Sequence, residues 1–101
     1  MDIEEVRKKS VPIFEAYNVE YAAVFGSVAR GEDRSDSDID MIVRIGKMPY
    51  GIWGFVRLKQ DLEAVFNKKV DLISAKALNK KLADTIKPVL KPIYERPETH
   101  S

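Results

Sequence analysis

Two aspartates one residue apart, Asp38 and Asp40, open the β-prone run of Ile39, Met41, Ile42 and Val43, and they restrict this chain more than any other feature. Side chains alternate along a strand with period two, so both carboxylates leave it on one face. Like charges that close repel, and a divalent cation with oxygen ligands is the usual compensation. Upstream, Tyr21, Ala22, Ala23, Val24 and Phe25 form a short apolar run ended by Gly26, which suits a buried strand feeding a tight turn. The stretch from Gly26 to Asp40 therefore joins a glycine turn to a carboxylate pair.

Three familiar uses of such a stretch fail against the residues. A phosphate-binding loop of the Walker type needs Lys-Ser or Lys-Thr after its second glycine, but Glu32 and Asp33 follow Gly31. A calcium loop opened at Asp36 would need glycine at Met41 and glutamate at Lys47. The one histidine, His100, stands next to the last residue, and no Gly-x-Ser-x-Gly elbow occurs, so a Ser-His-Asp hydrolase has no base.

What remains is Gly26-Ser27, ten residues, then Asp38-x-Asp40. This pattern resembles the nucleotidyltransferase signature of the DNA polymerase beta superfamily. Arg30-Gly31 and Ser37 also stand where the small prokaryotic members, the minimal nucleotidyltransferases (MNT), carry Arg-Gly and Ser. Lys69-Val70-Asp71-Leu72-Ile73 resembles the later strand that brings the family's third carboxylate, so Asp71 is the third candidate ligand. The resemblance spans nearly the whole chain in length and element order.

The resemblance implies a small palm-like sheet and transfer of AMP from ATP to a hydroxyl. Asp38, Asp40 and Asp71 would be the catalytic carboxylates and would hold Mg²⁺, as two ions; oxygen-only ligands favour Mg²⁺ over zinc. Gly26 and Ser27 would hold the nucleotide's terminal phosphates, and Arg30 would pair either with phosphate or with Asp36 or Glu32. The family's usual partner is a helical HEPN protein, often an RNase toxin, which the transferase adenylylates on tyrosine as its antitoxin. The competing reading is a non-catalytic module that neutralises its partner by contact and binds nucleotide only for assembly. Three clustered carboxylates give such a module no advantage. A homo-oligomeric subunit that exposes Tyr50, Trp53 and Phe55 is compatible with either.

Composition sets bounds on the remainder. With 101 residues the expectation is one nucleotidyltransferase domain over 1–101, without a second substrate-binding domain. Seventeen basic residues against sixteen acidic ones indicate no strong general attraction to nucleic acid or to a membrane surface. There is no cysteine, hence no disulfide or thiolate metal site. No apolar run approaches the ~20 residues that span a bilayer, and the N-terminus lacks a signal peptide's apolar core. A cytoplasmic protein is the expectation.

Along the chain, Asp2 and Glu5 fit a capping box, and Ile3, Val6, Ser10, Ile13, Phe14 and Tyr17 form one helical stripe, with a kink or restart expected at Pro12. A strand over 20–25 follows, then a short helix through Val28, Ala29 and Arg30 closed by Gly31, a polar loop to Ser37, and a strand over 38–45. Tyr50 and Trp53 are expected to pack over the sheet edge. From Phe55, a helix buries Leu58, Leu62, Val65 and Phe66. A strand over 69–74 carries Asp71, Ser74 caps what comes next, and a short helix runs to Pro88. Pro92 confines the strand over 89–94 to a sheet edge. Residues 95–101 read as a frayed tail. The fold class is α/β (α+β): a mixed sheet of about four strands, helices mainly on one face, and an open opposite face bearing the three aspartates.

Overall fold

The computed structural model describes residues 2–31, 38–46 and 51–96. Helix α1 (Ile3–Ala16) leads to strand β1 (Val19–Phe25), and the one-turn helix α2 (Gly26–Arg30) follows directly. Strand β2 (Ile39–Ile45), helix α3 (Ile52–Phe66) and strand β3 (Val70–Ser74) come next. A 3-10 turn (Ala75–Ala77), helix α4 (Lys80–Ile86), a second 3-10 turn (Lys87–Val89) and strand β4 (Lys91–Glu95) complete the order. The strands lie in the order β3-β2-β1-β4. β1 is antiparallel to both its neighbours, while β2 and β3 run parallel, joined by α3 as their crossover. The sheet is thus mixed, and Pro92 sits on an edge strand where its missing N–H leaves no central ladder broken.

Helices α1 and α3 cover one face. Val6, Ser10 and Phe14 of α1 and Leu58, Leu62 and Phe66 of α3 are buried. They meet Ala22, Val24, Ile39, Met41, Val43 and Val70 of the sheet in one core. Each such aliphatic or aromatic side chain contributes roughly 1.5–3 kcal/mol by leaving water. Asp2 caps α1 by accepting from the Glu5 amide at 2.8 Å, and Asn18 turns the chain into β1 with φ +59°.

Several local expectations give way to packing. α1 runs unbroken through Pro12, which lies exposed, because Phe14 on one side and Val6 and Ser10 on the other anchor the helix to the core. The Ser10 hydroxyl donates to the Val6 carbonyl at 2.6 Å, so its burial leaves no polar group unpaired. α3 starts at Ile52, earlier than its apolar spacing suggests, and Trp53 and Ile52 at its first turn are 70% and 75% exposed rather than packed. Phe55 packs against the core, Val65 faces outward at 38% exposure, and Tyr50 lies outside the described residues. Asn79, not Ser74, supplies the side-chain cap: it accepts from the Leu82 amide at 2.8 Å and starts α4. Glu95 still belongs to β4, and the Arg96 amide donates to the Glu20 carbonyl at 2.9 Å, so the chain is tied down further than expected. The rest of that tail lies outside the described residues.

The opposite face is only partly open. Ala23 and Ile42 on it are covered by Ile86 of α4, with Ala75, Leu78 and Leu90 of the flanking turns packed alongside. Among the described residues no helix is long and apolar enough to cross a membrane.

Candidate active site

At one end of the sheet the C-terminus of β1 and the starts of β2 and β3 come together. Register does this: Phe25 of β1 lies opposite Asp40 of β2, and Asp40 lies opposite Asp71 of β3. The Ile39 amide donates to the Lys69 carbonyl at 3.0 Å, which locks the two strand starts together. Alternation then sends Ile39 and Val70, each 0% exposed, into the core and leaves Asp40 and Asp71 on the other face. The side-chain carboxylate of Glu63 on α3 accepts from the Val70 amide at 3.0 Å and so fixes where β3 begins. Glu63 reads as a polar-face residue in the sequence, and only the tertiary contact reveals this positioning role.

The glycine turn closes over the pair. Gly26 has φ +73°, a conformation that L side chains rarely adopt. A Cβ built there would overlap Asp40 Oδ2 and stand 3.2 Å from Asp40 Cγ, so the backbone lies directly against the carboxylate. α2 departs from this turn, pinned by Val28 at 1% exposure, and Gly31 at φ +71° ends it with its amide donating to the Val28 carbonyl at 3.1 Å. Ser27 follows Gly26 within α2, and Arg30 stands exposed at its end.

Asp40 is half-buried, Asp38 and Asp71 are exposed, and Asp40 and Asp71 are direct cross-strand neighbours. Burial holds the Asp40 carboxyl above the ordinary carboxylate range, and the negative charges of Asp71 and Asp38 push the same way. Arg30 alone opposes them, so its guanidinium is close enough for its charge to be felt at Asp40. All three predicted carboxylates and Arg30 therefore converge on one corner of the sheet. Asp38 acts there by charge, from just before β2, while the direct partner of Asp40 comes from the neighbouring strand. Among the described residues no group of three His, Cys, Asp or Glu side chains is arranged to hold a metal ion. The donor set nevertheless suits a hard cation: every oxygen is a carboxylate's, and the charge held at Asp40 is what a divalent ion would neutralise. Asp36 and Glu32, the alternative partners for Arg30, lie outside the described residues.

Beside the corner, Val28, Ala29, Arg30 and Gly31 line a shallow groove of about 490 Å³ together with the start of α1. It is open to solvent.

Comparison with known proteins agrees with this geometry. The family model "Polymerase beta, Nucleotidyltransferase" matches residues 8–99. A protein of Methanocaldococcus jannaschii named as a protein adenylyltransferase is 38% identical over 86 residues, which cover 85% of this chain and 91% of that one. A solved structure described as a minimal nucleotidyltransferase superposes with a TM-score of 0.77 at 32% identity, over 91% of this chain and 96% of that one. The fold also matches a chain in the complex of tri-AMPylated Shewanella oneidensis HEPN toxin with MNT antitoxin. There the TM-score is 0.69 at 18% identity, over 93% of this chain and 73% of that one.

Proposed function

This chain belongs to the polymerase beta nucleotidyltransferase family and is a nucleotidyltransferase, and on that premise we propose that it moves AMP from ATP to a tyrosine hydroxyl of a HEPN-type partner, as the antitoxin of a toxin–antitoxin pair. Strand register carries this reading, because it sets Asp40 beside Asp71 under a glycine turn with no room for a side chain. The adenylyltransferase name of the M. jannaschii relative supports the AMP transfer, and the HEPN–MNT complex of like fold supports the partner.

In the proposed reaction the acceptor oxygen forms a bond to the α-phosphorus of ATP. The bond from that phosphorus to the bridging α,β oxygen breaks, and its electron pair leaves with pyrophosphate. Asp71, exposed on the acceptor side, takes the hydroxyl proton on its carboxylate. Asp38, Asp40 and Asp71 are the residues that would hold Mg²⁺, which when bound supplies neutralisation of the charge gathering on the phosphate oxygens. Backbone N–H groups at Gly26 and Ser27 hold the terminal phosphates, and Arg30 adds a positive charge already felt at Asp40. Gly26 keeps the Asp40 carboxylate in place by leaving it the space that a side chain would take. The whole domain, residues 1–101, acts as one transferase unit in this reading.

The test is label transfer from ATP with Mg²⁺ to the HEPN partner, with α- and γ-labelled nucleotide in parallel. The expected result is transfer of the α label alone, lost in Asp38→Ala/Asp40→Ala and reduced about 10²–10⁴-fold in Asp71→Asn. Transfer of the γ label would make the protein a kinase and overturn the reading. A stable complex in which no label moves would leave a module that acts by contact.

A further inference from the structure

Charge is unevenly placed along this chain. Residues 68–91 hold seven lysines and two acids, a net +5 in a chain whose total is +1, which leaves −4 for the remainder. Lys76, Lys80, Lys81, Lys87 and Lys91 are exposed. Among the described residues their side chains make no hydrogen bond or ion pair. Elsewhere Arg7 pairs with Glu4, and Arg44 and Arg96 both pair with Glu20, while Lys8 and Lys9 on α1 are exposed without an ion pair among the described residues. Most of the described lysines that lack an ion pair therefore lie in this segment.

The segment also has a defined place. Its apolar residues Leu78, Ile86 and Leu90 pack on Ala23 and Ile42, and Ile42 shares its face of β2 with Asp40. The lysines thus decorate the layer that covers the catalytic face beyond the carboxylate corner. Lys91 opens β4 opposite Val24, at the same end of the sheet as Gly26 and Asp40. Two apolar side chains stand exposed among these cations, Leu82 at 42% and Val89 at 46%.

We propose that α4 and its two flanking 3-10 turns form the docking surface for the acceptor protein, and that this surface fits an acidic patch on it. The proposal rests on the transfer reading above. An acceptor must approach on the face where Asp71 is exposed. Charge complementarity argues the occupant: a cationic layer beside the carboxylate corner steers and orients a partner of opposite sign. A protein fits better than a nucleic acid. Residues 68–91 contain no arginine and no aromatic residue, so they lack the forked donors and stacking planes that nucleic acids engage. Exposed Leu82 and Val89 find apolar counterparts on a protein but not on a phosphate backbone.

The experiment compares the wild type with Lys80→Glu/Lys81→Glu/Lys87→Glu and with Lys80→Arg/Lys81→Arg/Lys87→Arg. Affinity for the purified HEPN partner is measured by calorimetry at about 0.05 and about 0.3 M salt. Affinity for MgATP and for a single-stranded oligonucleotide, and the melting temperature, are measured alongside. Charge reversal is expected to weaken partner binding about tenfold or more at low salt and to flatten its salt dependence. The arginine variant should bind like the wild type, and MgATP affinity and melting temperature should stay unchanged. Equal partner affinity in the wild type and the reversed variant would overturn the proposal, as would a wild type that does not bind the partner. A loss confined to MgATP would assign the lysines to the nucleotide, and a loss confined to the oligonucleotide would assign them to nucleic acid; either overturns it. Partner binding that depends on the lysines while no label moves would keep the docking surface and remove the transfer reading.

Discussion

Gly26→Ala and Gly31→Ala together separate backbone strain from displacement of the Asp40 carboxylate. Both glycines occupy the left-handed region, with φ of +73° and +71°. Placing an L residue there costs about 1–2 kcal/mol, and in a chain of this size each kcal/mol lowers Tm by about 4–8 °C. Gly31 has no atom within 4 Å of an added Cβ, so strain is its whole cost. At Gly26 the same methyl overlaps Asp40 Oδ2, the free end of a side chain that can rotate away. The clash is therefore relieved by moving the carboxylate off Asp71, and its consequence falls on chemistry. Misplacing a reacting group by about 1 Å can cost about 10²-fold in rate. Thermal melts should show similar losses for the two variants, while label transfer falls about 10²-fold or more only in Gly26→Ala. Full activity in Gly26→Ala, or an equal loss of activity in Gly31→Ala, would refute the placement of the turn against Asp40.

Other variants probe separate links. In the metal-free chain the Asp40 carboxyl is raised by burial and by Asp71 and Asp38, so between the ordinary carboxylate range and its raised value the native state binds more protons than the unfolded state. Stability from this group falls as pH rises through that window, with no penalty below it and the full penalty above. Asp40→Asn should accordingly melt higher than the wild type at about pH 8 and show no gain at about pH 3; an equal gain at both would contradict the cause assigned here. Trp53→Ala should change stability by no more than about 0.5 kcal/mol in urea unfolding, because the side chain is 70% exposed; a loss of about 3 kcal/mol would mean a packed tryptophan. Asn79→Ala removes the cap of α4 and should cost about 0.5–2 kcal/mol, with earlier amide exchange in α4 than in α1. Mg²⁺ with ATP should raise the melting temperature of the wild type but not of Asp40→Asn; equal shifts would place the ion elsewhere.

Much of the site was legible because its signals are local. Period-two alternation places Asp40 and Asp71 away from the core, a glycine after an apolar run marks the turn, and Pro92 marks an edge. The pairing of Asp40 with Asp71 is not local: it depends on β2 and β3 being neighbours, parallel and in one register, and no residue between them encodes that. The same holds for Glu63, whose role exists only once α3 lies against the start of β3. Pro12 and Trp53 went the other way. Propensity predicts a kink or restart at Pro12 and a covered ring, but burial of Val6, Ser10 and Phe14 keeps α1 continuous, and α3 begins one turn earlier than its apolar stripe and presents its first turn to solvent. The cover on the face that bears Asp40 escaped for a similar reason, since the spacing of Leu78 and Ile86 shows an apolar side without showing which surface it meets.

The carboxylate corner is held by its apolar underside rather than by its charges. Ile39 and Val70 precede Asp40 and Asp71 by one residue each, and both are 0% exposed, as are Val24 and Met41 beside them. Val28 pins the α2 turn to the same core. Apolar burial thus sets where the acids stand, and their mutual repulsion is a cost that this packing sustains. Such an arrangement is expected where position matters more than stability: replacing Asp40 by a neutral isostere should stabilise the fold in the same step that removes its chemistry. The cationic layer over the rest of the face carries the complementary charge at a distance, on exposed side chains of α4 and its turns. In the proposed function, anions at the corner would meet the carboxylates through an ion, whereas an acidic partner would be met by lysines directly. One face of a small sheet can therefore sort a nucleotide and an acceptor protein into different places, because its two halves carry opposite charge.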